Sequence, residues 1–305
     1  MQQPSERGMI ILSFAIIYIV WGSTYLGNEY AIDVIPPWIM AGSRFTTAGL
    51  LLYGFALIKG VPKPTFTQLK NSLFLGILFM TFGVGGTVWA QQHVDSGFTA
   101  LLITMNPLVV VLLVWLIDKR RPTLKSLFGI ALGILGMVLL VGNAQISTDA
   151  NALLGVAVIV FCTFTWAYGA ITIPKLELPQ SKIQSSAMQM FLGGMVLLSF
   201  GAFSGEFQQF SFQDMTWAAG ISWIYLVIFG SIIAFTAFNY LLLKVAPEKV
   251  STNTYVNPVI AVLLGWWLRD EYLDAQMLFA GAILLTGVFF INSSKGLKNT
   301  KKSTP

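Results

Sequence analysis

The chain is a succession of long apolar runs separated by short polar breaks. The runs cover about residues 9–28, 37–58, 71–91, 97–117 and 124–142, then 152–173, 183–204, 218–243, 249–268 and 275–293. Each comes close to the roughly 20 residues an α-helix needs to cross the hydrocarbon core of a bilayer. The breaks are too short to hold an extramembrane domain. The pattern predicts an all-α integral membrane protein with ten transmembrane helices. The first run is longer than the apolar core of a signal peptide, and no small-x-small cleavage site follows it. It is expected to be the first spanning helix.

Composition supports lipid as the main solvent. Of 305 residues 55% are hydrophobic and only 10% charged, and the mean hydropathy is +0.73. A soluble domain carries about a quarter charged residues. The sequence pI of about 9.3 does not signal nucleic acid, because the basic residues form no face and sit in the breaks. Place the N-terminus in the cytoplasm and let the helices alternate. All 18 Lys and Arg residues except Arg44 and Arg269 then fall inside, and of the 13 acids only Glu6, Asp118, Glu177 and Glu248 do. Basic residues accumulate on the cytoplasmic side of membrane proteins, and moving any one helix would spoil this segregation. Both termini are therefore expected inside, with 295–305 as a basic cytoplasmic tail. The expected location is a plasma membrane of the bacterial inner-membrane kind, crossed many times.

The two halves repeat. Val94–Met137 aligns without a gap on Val245–Val288, setting Asn106-Pro107 on Asn257-Pro258, Trp115 on Trp266 and Gly136 on Gly287. The loop Asp118-Lys119-Arg120-Arg121 is net basic, whereas its counterpart Arg269-Asp270-Glu271 is net acidic. Earlier in each half, Trp21 can be set on Trp166 and Gly49 on Gly194. An odd number of helices per half makes the second enter from the opposite side, so loop charge changes sign between copies. The expected domains are 1–143 and 144–294, two five-helix repeats in inverted orientation, as in many alternating-access transporters.

Several motifs make the chain resemble the drug/metabolite transporter superfamily, in particular its ten-helix EamA-domain exporters. They are Trp21-Gly22-Ser23-Thr24 and Arg44-Phe45, the aromatic end of the third helix at Trp89, Pro107 and Pro258, and the glycine-rich helices after Lys125 and Asp274. The resemblance covers nearly the whole chain. It implies one central cavity, lined by helices one, three, four, six, eight and nine, with five and ten as lateral supports. Many members of that family resemble one another in an acid just before the ninth-helix proline; here that residue is Asn257.

The candidate solute-binding residues are Trp21, Thr24, Tyr25, Trp89, Asn106, Trp166, Tyr168, Asn239, Tyr240, Tyr255 and Asn257. Aromatic rings with a few polar groups suit a pocket for small amphiphilic solutes; the same rings equally suit packing or the membrane interface. Pro107 and Pro258 are expected to kink their helices, either beside the cavity or as plain structure. Arg44 lies within a predicted span, where an ionisable group needs a partner. An ion pair with Glu29, structural or gating, and a contact with an anionic solute are the readings. Gly129, Gly133 and Gly136, with Gly281 and Gly287, allow close helix approach, within the chain or across a weak homodimer.

The functional expectation is a secondary transporter moving a small metabolite or amphiphile out of the cytoplasm; amino acids, nucleobases and aromatic solutes are the classes considered. No Asp or Glu lies deep in a span and His93 sits in an outer loop, so an uncoupled facilitator or exchanger competes with a proton antiporter. An enzyme would need reactive groups at depth, and neither HExxH nor GxSxG occurs. The one cysteine, Cys162, excludes an intrachain disulfide. No metal or cofactor is expected. The partners are a small solute and the bilayer, and the chain is a monomer or weak homodimer.

Overall fold

A computed structural model describes residues 6–94, 99, 102–141, 150–269, 275–293 and 298–299. Its long helices are α1 (Glu6–Ile32), α2 (Pro37–Ile58), α3 (Phe66–Ala90), α4 (Asn106–Asp118) and α5 (Leu124–Val141), then α6 (Ala150–Thr172), α7 (Lys182–Phe203), α8 (Trp217–Lys244), α9 (Asn253–Arg269) and α10 (Ala275–Ser293). Five of them, α1, α3, α6, α7 and α8, are long and apolar enough to cross a membrane. A two-residue ladder pairs Arg120–Arg121 with Lys298–Asn299. The boundary at 143/144 and most of the tail lie outside the described residues.

Local chemistry starts the helices where the apolar runs begin. Thr65 and Gln68 close a capping box at α3, the side chain of each accepting the other's backbone N–H at 3.2 and 3.1 Å. Ser181 caps α7 and Thr216 caps α8. Pro37 opens α2, at a position where the missing N–H costs nothing. Pro107 behaves in the same way. It is the second residue of α4, after a turn at Thr104–Met105, and so does not kink a continuous helix. Pro258 does lie inside its helix.

The helices pack in pairs that recur when the halves are exchanged. α2 packs on α7 and α5 on α10; α1 meets α9 and α8, and α6 meets α4 and α3. The α5–α10 contact is backbone-close. A Cβ placed on Gly129 would stand 2.7 Å from the Gly287 carbonyl oxygen, and one on Gly287 would stand 2.7 Å from that of Gly129. Small residues permit such an approach, and these glycines face one another within one chain.

Polar contacts tie helix ends into two groups. At one end of the bundle Lys244 pairs with Glu6 at 2.6 Å, Lys175 with Asp118 at 2.5 Å, and Lys249 Nζ donates to the Asn292 carbonyl at 2.8 Å. At the other end the Glu206 carboxylate accepts from the backbone N–H groups of Trp38 (3.3 Å) and Ile39 (2.9 Å) at the start of α2. Burial pushes this carboxyl above its usual range, and the two donors pull it partly back. A raised folded-state pKa means that this group contributes most to stability in acid, and that the contribution is lost as pH rises through the folded value. Glu206→Gln should therefore flatten the fall of the thermal midpoint as pH rises above the ordinary glutamate value of about 4.5. An unchanged slope would assign that dependence to another group.

Candidate functional site

Six helices meet around one cavity of about 150 Å³. A void of that order can hold a benzene-sized ring. α1 supplies Trp21, Thr24, Tyr25 and Asn28, and α2 supplies Arg44. α3 adds Gly83, Val84, Thr87 and Val88, with Gln91 just beyond it. Asn106 opens α4, and Ile103 precedes it. α6 adds Cys162, Thr163 and Trp166, and α9 adds Asn253, Thr254 and Asn257. The repeat is visible in the wall: Asn106 and Asn257 occupy aligned positions, as do Ile103 and Thr254, and Trp21 and Trp166.

One side of the cavity is closed by rings. Trp21 meets Trp166 edge-on, with centroids 5.7 Å apart; Phe79 lies 4.9 Å and Phe238 5.3 Å from Trp166. Contacts of this kind add about 0.5–1.5 kcal/mol each beyond burial. Trp21 is also pinned by its Nε1, which donates to the Gly230 carbonyl at 3.0 Å. Gly230 belongs to a π-helical segment, a feature the apolar pattern did not predict. Ile77–Gly85 of α3 and Leu226–Ile233 of α8 are π-helical, at corresponding places in the two halves. Such segments shift the backbone register and gather at functional sites. Their sequence signal is the small-residue clustering at Gly83-Val84-Gly85-Gly86 and Gly230-Ser231.

The two aligned asparagines are in different states. The Asn257 amide, turned to satisfy its neighbours, donates to the carbonyls of Tyr18 (3.2 Å) and Asn253 (2.9 Å). It therefore bridges α9 to α1. Asn106 is buried, and its Oδ1 has no hydrogen-bond partner among the described residues. Thr24 donates to the Trp21 carbonyl at 2.7 Å.

Five candidates stand away from the cavity. Trp89 stacks edge-on against His93 at 5.1 Å. Tyr168 is 40% exposed on the outer surface of the bundle, against Phe74. Asn239 is buried and donates to Ser186 (2.9 Å) and Gln189 (3.5 Å). Tyr240 lies under the Lys182 ammonium at 4.1 Å. Tyr255 is fully buried against Gly133 of α5. α8, expected in the lining, stands one layer behind it. α2, which the resemblance left out, reaches the cavity through Arg44. The Arg44 guanidinium donates from Nε to Ser231 (2.8 Å) and from Nη1 to Asn28 (3.3 Å). The Glu29 side chain lies outside the described residues. Among the described residues no His, Cys, Asp and Glu cluster is arranged to hold a metal.

An all-helical bundle with helices long and apolar enough to cross a membrane, around a central polar-aromatic cavity, has the architecture of a membrane transport protein. The EamA-like transporter family model matches residues 8–142 and again 153–293, so the chain belongs to that family, within the drug/metabolite transporter superfamily. It is 32% identical to the uncharacterised inner membrane transporter YedA of Escherichia coli, over 92% of this chain and 90% of that one. It is 21% identical to the uncharacterised transporter YoaV of Bacillus subtilis, over 92% and 95%. With the WAT1-related chloroplastic protein At3g02690 of Arabidopsis thaliana it shares 24% identity, over 92% and 68%. One solved crystal structure shares the fold at a TM-score of 0.73 and 16% identity, over 92% and 95% of the two chains.

Proposed function

We propose that this chain is a secondary transporter exporting a small metabolite or amphiphile from the cytoplasm by alternating access. Its two five-helix repeats, 1–143 and 144–294, lie inverted in a bacterial inner membrane, with ten spans and both termini inside. The observation that carries this reading is the cavity itself, which is walled by equivalent residues of both repeats and closed on one side by Trp21 and Trp166. The exchange of helix contacts between halves supports the duplication, and an odd number of helices per half would make it inverted. The grouping of Lys244, Lys175 and Lys249 at one end of the bundle, with Glu206 at the other, supports the orientation. The name of the YedA relative supports the inner membrane.

Flux of labelled amino acids, nucleobases and aromatic compounds through proteoliposomes tests the function. At least one solute should move faster than through empty liposomes, and none moving under any gradient would end the proposal. The described cavity wall holds no Asp, Glu or His, which favours a facilitator or exchanger. Flux should therefore be insensitive to an imposed pH gradient.

Orientation has its own test. In a Cys162→Ser background, a cysteine replacing exposed Asp214 should react with an impermeant thiol reagent on intact cells, and one replacing exposed Lys63 should react only after permeabilisation. The opposite pattern would invert the topology.

A further inference from the structure

Arg44 is the only charged residue in the described cavity wall. It is 4% exposed, and its two hydrogen-bond partners, Ser231 and Asn28, are neutral. Among the described residues no carboxylate lies within ion-pair distance of it. Holding a guanidinium at depth without a counter-charge is costly. Two hydrogen bonds engage two of its five N–H donors. The group is also firmly seated, since a Cβ on Gly230 would stand 2.7 Å from Nη2. This is a preorganised cation facing a small void whose other polar side chains are neutral: amides, hydroxyls, the Cys162 thiol and the indoles of Trp21 and Trp166.

We infer that the cavity takes a small organic anion, with one carboxylate on an aromatic or branched apolar body, and that Arg44 receives the carboxylate. This rests on the reading of the cavity as the transport site. A planar guanidinium matches a carboxylate in shape and charge. The Trp21–Trp166 floor accepts the apolar body, and the unpartnered Asn106 Oδ1 can accept an N–H or O–H from the same solute. A cationic solute would meet like charge with no described acid to offset it. A neutral solute would leave the guanidinium without a counter-charge among the described residues.

The test is equilibrium binding to the purified full-length chain. The probes share one ring: phenylacetate, its neutral amide phenylacetamide and the amine phenethylamine. Phenylacetate should bind about tenfold or more tighter than the amide, the ratio expected for one charge-assisted contact, and phenethylamine should be the weakest. Arg44→Gln should erase the preference for the acid while leaving amide binding within about twofold, a shift too small to signal a lost contact. Retained amide binding also shows that the variant is folded. Gly230→Ala, which displaces the guanidinium without removing its charge, should reduce the preference, and Glu29→Gln should leave it intact. If the amide or amine binds as well as the acid, or if Arg44→Gln keeps the preference, the anion assignment fails and the transport reading stands. If Glu29→Gln alters the preference as much as Arg44→Gln, Arg44 is a paired structural group and the assignment fails. If none of the three probes binds, and no solute in the flux panel moves, both fall together.

Discussion

Trp166→Ala is expected to abolish solute flux in a protein that still inserts and folds at low temperature. Three rings rest on Trp166: Trp21 at 5.7 Å, Phe79 at 4.9 Å and Phe238 at 5.3 Å. Trp166 is partly buried, so truncating it forfeits part of the roughly 3–5 kcal/mol that a fully buried tryptophan would lose. The larger effect is on function. The ring closes one side of the cavity, so its removal enlarges the cavity toward Phe79 and Phe238 and takes away the edge contact of Trp21. Trp166→Phe keeps most of the packing and separates the two roles. It should restore most of the thermal midpoint while flux stays well below wild type. Parallel thermal unfolding and proteoliposome flux measure both. If Trp166→Ala transported normally at a temperature where it is folded, the aromatic floor would have no part in transport.

The tryptophan pair was legible in the sequence because the repeat pointed to it; other aromatics had no such guide. Tyr168 follows Trp166 by two residues and faces the outer surface. In a helix surrounded by apolar neighbours, no polar stripe tells inside from outside. Tyr255 and Tyr240 fail for the same reason, one packed under Gly133 and the other at a helix end beside Lys182. The asparagines were legible as a pair, but not their inequality. Asn257 is occupied by backbone carbonyls and Asn106 is not, a difference set by where each helix begins. Arg44 was conspicuous as a buried charge, yet its position in the wall depends on the seat at Gly230-Ser231, about 190 residues away along the chain, a tertiary contact that no local pattern encodes. The apolar runs located the helices, because chain length against bilayer thickness is a local property. The π segments left only a faint trace, the small residues around Gly83–Gly86 and Gly230-Ser231, because they change the hydrogen-bond register while leaving the residues apolar.

Gly129→Leu should destabilise the fold, although Gly129 is not part of the cavity wall. The reciprocal approach to Gly287 leaves no room on either helix: the Cβ position is 2.7 Å from a backbone oxygen and 3.0 Å from the Ile291 nitrogen. Neither neighbour is a movable side-chain tip. The whole α10 must shift, and with it the packing shared by Gly133, Gly136 and Leu284 along the same seam. Overpacking alone costs about 1–3 kcal/mol, and in lipid, close van der Waals fit is itself what holds two helices together. The thermal midpoint should fall by about 5 °C, with a heterogeneous profile in size-exclusion chromatography. Gly129→Ala should fall between Leu and wild type. Gly54→Leu is the matched control, since nothing lies within 4 Å of its Cβ position; it should behave as wild type. Equal losses at Gly54 and Gly129 would mean that side-chain bulk in any span, and not the α5–α10 contact, sets the stability of the fold.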